Sequence, residues 1–108
     1  MDARARIPID ISAIVEASPE VLVQELDGEA VLLNLESERY FGLDDVGTRI
    51  WQHLREHRRL SRVCEEMHKE YAVDEETLRA DVLRLVEELI EAGIVTVAQN
   101  TTHDAADS

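Results

Sequence analysis

The 108-residue sequence predicts an α+β domain, a three-stranded antiparallel sheet followed by three helices. Two observations carry the sheet. Apolar residues alternate in "VLVQEL" (Val21–Leu26), "EAVLLNL" (residues 29–35) and "RYFGL" (Arg39–Leu43), the period of strands with one buried face. These runs are separated by Asp27-Gly28, the residue pair of a two-residue type I′ turn, and by the polar Glu36-Ser37-Glu38. A third observation carries the helices. Beyond Asp44 and Asp45 the apolar spacing stretches to three and four residues and recurs, with breaks, as far as Ala92. A sheet this small is marginal alone, so the helices must cover its apolar face.

The elements follow in order. Residues 1–6, with Arg4 and Arg6, read as a loose arm. "IPIDISAIVEASPE" mixes isoleucines with Pro8 and Pro19 and reads as an extended surface segment ending in a turn. Together these make residues 1–18 an N-terminal arm, ahead of a domain at 19–96. The first helix spans about residues 46–55, capped by Asp44 or Asp45, with Ile50, Trp51 and Leu54 as its stripe. After a basic loop, Ser61 caps a second helix whose inner face is Val63, Cys64, Met67 and Tyr71. Asp74 caps a third helix over residues 75–92, and Gly93 is its left-handed stop. "IVTV" either adds a short strand or closes over the core, and residues 97–108 form a polar, disordered tail.

Composition excludes several function classes. Acids outnumber bases 24 to 11, and a net charge of −13 opposes approach to a nucleic acid, although Arg55, Arg58, Arg59 and Arg62 cluster locally. The lone Cys64 rules out an internal disulfide or a cysteine zinc site and reads as a small core residue. No apolar run approaches the roughly 20 residues of a membrane span, and no signal peptide opens the chain, so a cytoplasmic protein is expected. His53 and His57 are spaced i, i+4, but no third ligand has a supporting spacing, so no metal site is expected. No Ser–His–Asp order, glycine-rich phosphate loop or framed carboxylate pair appears. Neither catalytic residues nor a cofactor are expected.

Two features point to binding instead. On the third helix, Leu78, Val82, Leu85 and Leu89 cluster within about 60° and suffice to dock it. Val86, Ile90 and Leu83 widen that stripe by roughly another 100° on one side, where Arg79 also lies. Either another segment covers this shoulder or it forms one wall of a groove. The strand Arg39–Leu43 is last in its series, and its outer edge lacks the Lys or Pro that usually blunts an open edge, unless Gly42 bulges. Period two puts Tyr40 and Gly42 on one face and Arg39, Phe41 and Leu43 on the other, Phe41 and Leu43 toward the helices. An open edge beside an apolar helix shoulder suits a peptide that binds by adding a strand.

"VLLNL", "RYFGL", "GTRIW" and "LVEELIEAGIV" together resemble the PqqD family over about residues 19–95. Its members include the recognition elements (RiPP recognition elements) that bind leader segments of ribosomally made, modified peptides, and this chain looks most like those of lasso-peptide clusters. The resemblance implies a winged-helix-like domain that captures a leader peptide without catalysis. The leader would lie along Arg39, Tyr40, Phe41 and Gly42, with its side chains on Arg79, Leu83, Val86 and Ile90 of the third helix. It further implies a peptide chaperone that stands free of any fused catalytic segment. The partners would be a precursor peptide and a separate processing enzyme, a leader peptidase or a radical SAM protein, with neither nucleic acid nor membrane. The "ESERYFG" hairpin and the acidic balance depart from the quinone-cofactor members. Two other classes compete: a winged-helix DNA-binding or transcription-associated module, and a plain dimerisation domain. A recognition helix carries exposed bases, whereas the third helix offers Arg79 and Arg84 against an excess of acids.

Overall fold

The computed structural model describes residues 9–99. They form β1 (Ile14–Ala17), β2 (Val21–Leu26), β3 (Glu29–Asn34), β4 (Arg39–Leu43), α1 (Asp45–His57), α2 (Leu60–Glu70), α3 (Glu75–Glu91) and β5 (Val95–Gln99). Turn chemistry sets the main sheet. Asp27 and Gly28 take positive φ, 55° and 81°, as the type I′ turn requires, and this fixes the register Leu26↔Glu29 through Val21↔Asn34. Strand order is β2-β3-β4, antiparallel throughout. Ala30, Leu32 and Asn34 of β3 turn inward with Leu43 of β4 and are buried.

β1 and β5 pair with each other in a second, two-stranded antiparallel sheet. The segment expected to cross the surface is thus part of the fold, and "IVTV" opens a strand. Ala13 and Val15 are fully buried. The folded unit therefore starts before residue 19 and runs past 96, because the main-chain groups of β1 and β5 satisfy one another. The arm expected at residues 1–6 and residues 100–108 of the expected tail lie outside the described residues.

The helices close over the sheet. The Asp44 carboxylate accepts from Gly47 N at 2.8 Å and caps α1, which runs one half-turn further than expected, to His57. α2 begins at Leu60, and Ser61 is not its cap; Arg59 holds that place without a side-chain bond. Tertiary contacts replace the cap. Leu60 N donates to Ala13 O at 3.0 Å, and the Leu60 side chain is fully buried. Asp74 caps α3 through Thr77 N at 3.1 Å, and Gly93, at φ 75°, follows its end. Trp51, Leu54, Leu32, Met67, Leu89 and Ile94 are the largest side chains of a single core.

Candidate functional site

β4 pairs with β3 along one side and is the last strand of its sheet, so its other side carries no strand among the described residues. The register from Ala30↔Leu43 to Asn34↔Arg39 is unbroken, so Gly42 makes no bulge and the edge is straight. Leu43 is buried and Phe41 is half-buried against the core, while Tyr40 is 76% exposed on the outer face. Arg39 is exposed at the start of the strand. The alternation is therefore the one expected from period two.

α3 divides its apolar residues differently from the sequence expectation. Leu78, Val82, Val86 and Leu89 are buried, within about 80° of one another around the helix. Val86 has no exposed surface, so it belongs to the core and is removed from any ligand-facing surface. Leu85, expected in the docking set, is half-buried on the opposite flank. The shoulder that remains is Leu83 and Ile90, both half-buried, with Arg79 exposed at the same azimuth and paired to Glu75 at 3.5 Å. α3 packs closely on α2 and β5; β4 is not among its closely packed neighbours.

The polar groups near the helices are structural. Burial pushes the Cys64 thiol up to about 11, against a downward pull from Arg79, so at neutral pH it is a protonated, unreactive thiol. Arg49 bonds the Glu70 carboxylate through two nitrogens, at 2.8 and 2.7 Å, and with His53 holds that carboxyl below its ordinary range. His53, buried on α1, lies 3.1 Å from Glu70 through Nε2 and stacks on His57 with ring centroids 5.8 Å apart. Glu56 supplies the third potential ligand that spacing did not suggest, within 4.8 Å of both histidines. The two imidazole planes are tilted by 19° from one another.

Sequence reasoning missed the outer face of the main sheet. Leu22 (55% exposed), Leu26 (68%), Val31 (46%) and Tyr40 lie there together, in the cross-strand row Leu22–Leu33–Tyr40 and its neighbours. The signal was available: "VLV" and "VLL" are consecutive apolar residues, which place apolar side chains on both faces of a strand. No helix among the described residues is long and apolar enough to cross a membrane.

Comparison with known proteins agrees with this arrangement. Two solved structures align with TM-scores of 0.70. "TbiB1 in Complex with the TbiA(beta) Leader Peptide" is 35% identical, over 74% of this chain and 93% of that one. "Lasso peptide synthetase B1 complexed with the leader peptide" is 30% identical, over 78% of this chain and 99% of that one. No curated protein matches the chain. The family described as Coenzyme PQQ synthesis protein D (PqqD) matches residues 29–95, from the second strand of the main sheet through the start of β5. The chain belongs to the PqqD family.

Proposed function

We propose that this protein is a non-catalytic adaptor that captures the leader segment of a ribosomally made precursor peptide as an added strand on β4. The straight, unpartnered edge of β4 carries the reading. Its free main-chain groups supply affinity without regard to sequence, and side chains at alternate positions supply selectivity. Arg39, Tyr40, Phe41 and Gly42 form the strand side; Arg79, Leu83 and Ile90 offer a half-buried helix shoulder. Val86 supports that shoulder from the core. The two solved relatives hold leader peptides, which supports the same role here.

Delivery requires a second surface, and the outer face of the sheet is suited to it. Its apolar side chains adjoin β4, so a processing enzyme seated there would lie beside the captured leader. A net charge of −13 sets two copies against each other and favours a partner with a basic rim. The same charge disfavours a DNA-binding module and a plain dimer.

Calorimetric titration with leader peptides encoded near this gene tests the reading. Saturable binding is expected, with the precursor mass unchanged when no other enzyme is present. A mass change with this protein alone, or no binding to any such leader, would overturn it.

A further inference from the structure

We infer that the last turns of α1 hold a divalent transition-metal ion, with zinc the representative, bound by His53, Glu56 and His57. Positions i, i+3 and i+4 lie within about 100° of arc on a helix, so the backbone of α1 sets the three side chains together. Each offers one ligand atom, and these atoms all lie within 4.8 Å of one another. Two imidazole nitrogens and a carboxylate oxygen suit zinc, copper or nickel, whereas magnesium and calcium take oxygen ligands.

His53 carries the inference. It is 5% exposed, and its Nδ1 is buried without a hydrogen-bond partner among the described residues. In the neutral ring, Nε2–H donates to the Glu70 carboxylate at 3.1 Å, which leaves the free lone pair on Nδ1. A buried acceptor without a donor is destabilising, and a bound cation satisfies it. The other side of the ring is arranged as in metal-binding histidines, where a carboxylate takes the outer N–H and fixes both tautomer and orientation. Glu70 is held in turn by Arg49, through two nitrogens at 2.8 and 2.7 Å.

The surroundings admit a cation. The C-terminal end of a helix carries partial negative charge, and the whole chain carries −13. The nearby guanidiniums are engaged elsewhere: Arg58 with Glu16 at 3.1 Å, Arg59 with the Ser12 carbonyl at 3.0 Å, and Arg55 over the Trp51 ring. The helix end is anchored rather than frayed. Arg58 N donates to Leu54 O at 2.9 Å, Arg59 N to His57 O at 2.7 Å, and Val15 N to Arg58 O at 3.0 Å. Tetrahedral zinc, at 2.0–2.2 Å from its ligands, keeps them roughly 3.4 Å apart. The exposed Glu56 and the half-buried His57 turn to close that difference while His53 stays fixed, and water takes the fourth position. The ion then pins the end of α1 beside β1.

The test is a calorimetric titration of the untagged full chain with zinc chloride alone, with the histidine ring nitrogens followed by NMR. Saturation at one zinc per chain is expected, and a large excess of magnesium should displace none of it. The ring signals should move at His53 Nδ1 and at one nitrogen of His57, with the His53 Nε2–H retained and His68 and His103 unchanged. Zinc should raise the Tm of the native chain. Glu56→Gln and His57→Asn should each weaken zinc binding at least about tenfold, and Glu56→Gln, at an exposed position, should leave the zinc-free Tm unchanged. No saturation at one zinc per chain, coordination through His68 or His103, or unchanged affinity in either variant would overturn the proposal. None of these outcomes depends on whether β4 takes a leader peptide.

Discussion

Asn34 shows how one side chain can join distant parts of a small fold. Its Nδ2 donates to Gly93 O at 2.9 Å, and its Oδ1 accepts from Glu36 N at 2.9 Å and Ser37 N at 3.2 Å. The residue that ends β3 thus shapes the β3–β4 turn and ties it to the stop of α3. Asn34→Ala should cost about 1–3 kcal/mol, because it removes three hydrogen bonds whose partners are exposed or half-buried. Gly93→Ala should cost about 1–2 kcal/mol for its left-handed φ. A Cβ there would also stand 2.7 Å from Asn34 Nδ2, a contact that the Asn34→Ala background removes. The double variant should therefore lose less than the sum in urea unfolding. Cys64 gives a second residue-scale expectation. Its thiol is held up at about 11 in the folded chain, against an ordinary 9.0. Between those values the unfolded chain has released the proton and the folded chain has not. Stability should therefore fall as pH rises through that window, and Cys64→Ala should flatten the slope.

At the scale of elements, β4 and α3 carry the expectations that bear on function. An edge strand exchanges its outward amides quickly in the free protein. On leader binding, amides between Arg39 and Leu43 should become protected while β2 changes little, as read by hydrogen exchange. Protection confined to the basic segment around Arg58 and Arg59 would place the ligand elsewhere. The half-buried and buried sides of α3 should separate under substitution. Leu83→Asp and Ile90→Asp keep the charge in reach of water and should weaken leader binding more than folding. Val86→Asp and Leu89→Asp put an unpaired charge into positions with no exposed surface and should prevent cooperative folding. Equal thermal losses in all four would make the shoulder ordinary core.

For the whole molecule, the β1–β5 pair decides where the folded unit ends. It buries Val15, and Ala13, just before β1 and also buried, supplies the carbonyl that takes the first amide of α2. A chain starting at Ser18 would lose the Val15 side chain, whose burial is worth about 1.5–3 kcal/mol, together with every strand partner of β5. Against a domain stability of about 5–15 kcal/mol, this is a large share. The truncated chain should melt lower by about 10 °C or more in a calorimetric scan.

The sequence by itself determined the local features. Asp27-Gly28 dictates a type I′ turn whatever surrounds it, Asp44 and Asp74 cap the helices that follow them, and Gly93 ends α3 with a backbone that L side chains resist. Each rests on residues within a few positions of one another, so the chain states them directly. The three strands of the main sheet and the open place of β4 follow from the same local signals. Only the tertiary structure decided which shoulder of α3 is covered. Val86 and Leu85 differ by one position, and their burial depends on what α2 and β5 place beside them. Ser61 is a good cap by type, yet Ala13, from the far end of the chain, supplies the acceptor and moves the helix start. β1 and β5 were not legible as a pair, because strand pairing across nearly the whole chain leaves no periodic trace in either segment. Long-range contacts are chosen by the shape and chemistry of assembled surfaces, and the sequence lists the parts of those surfaces without their neighbours.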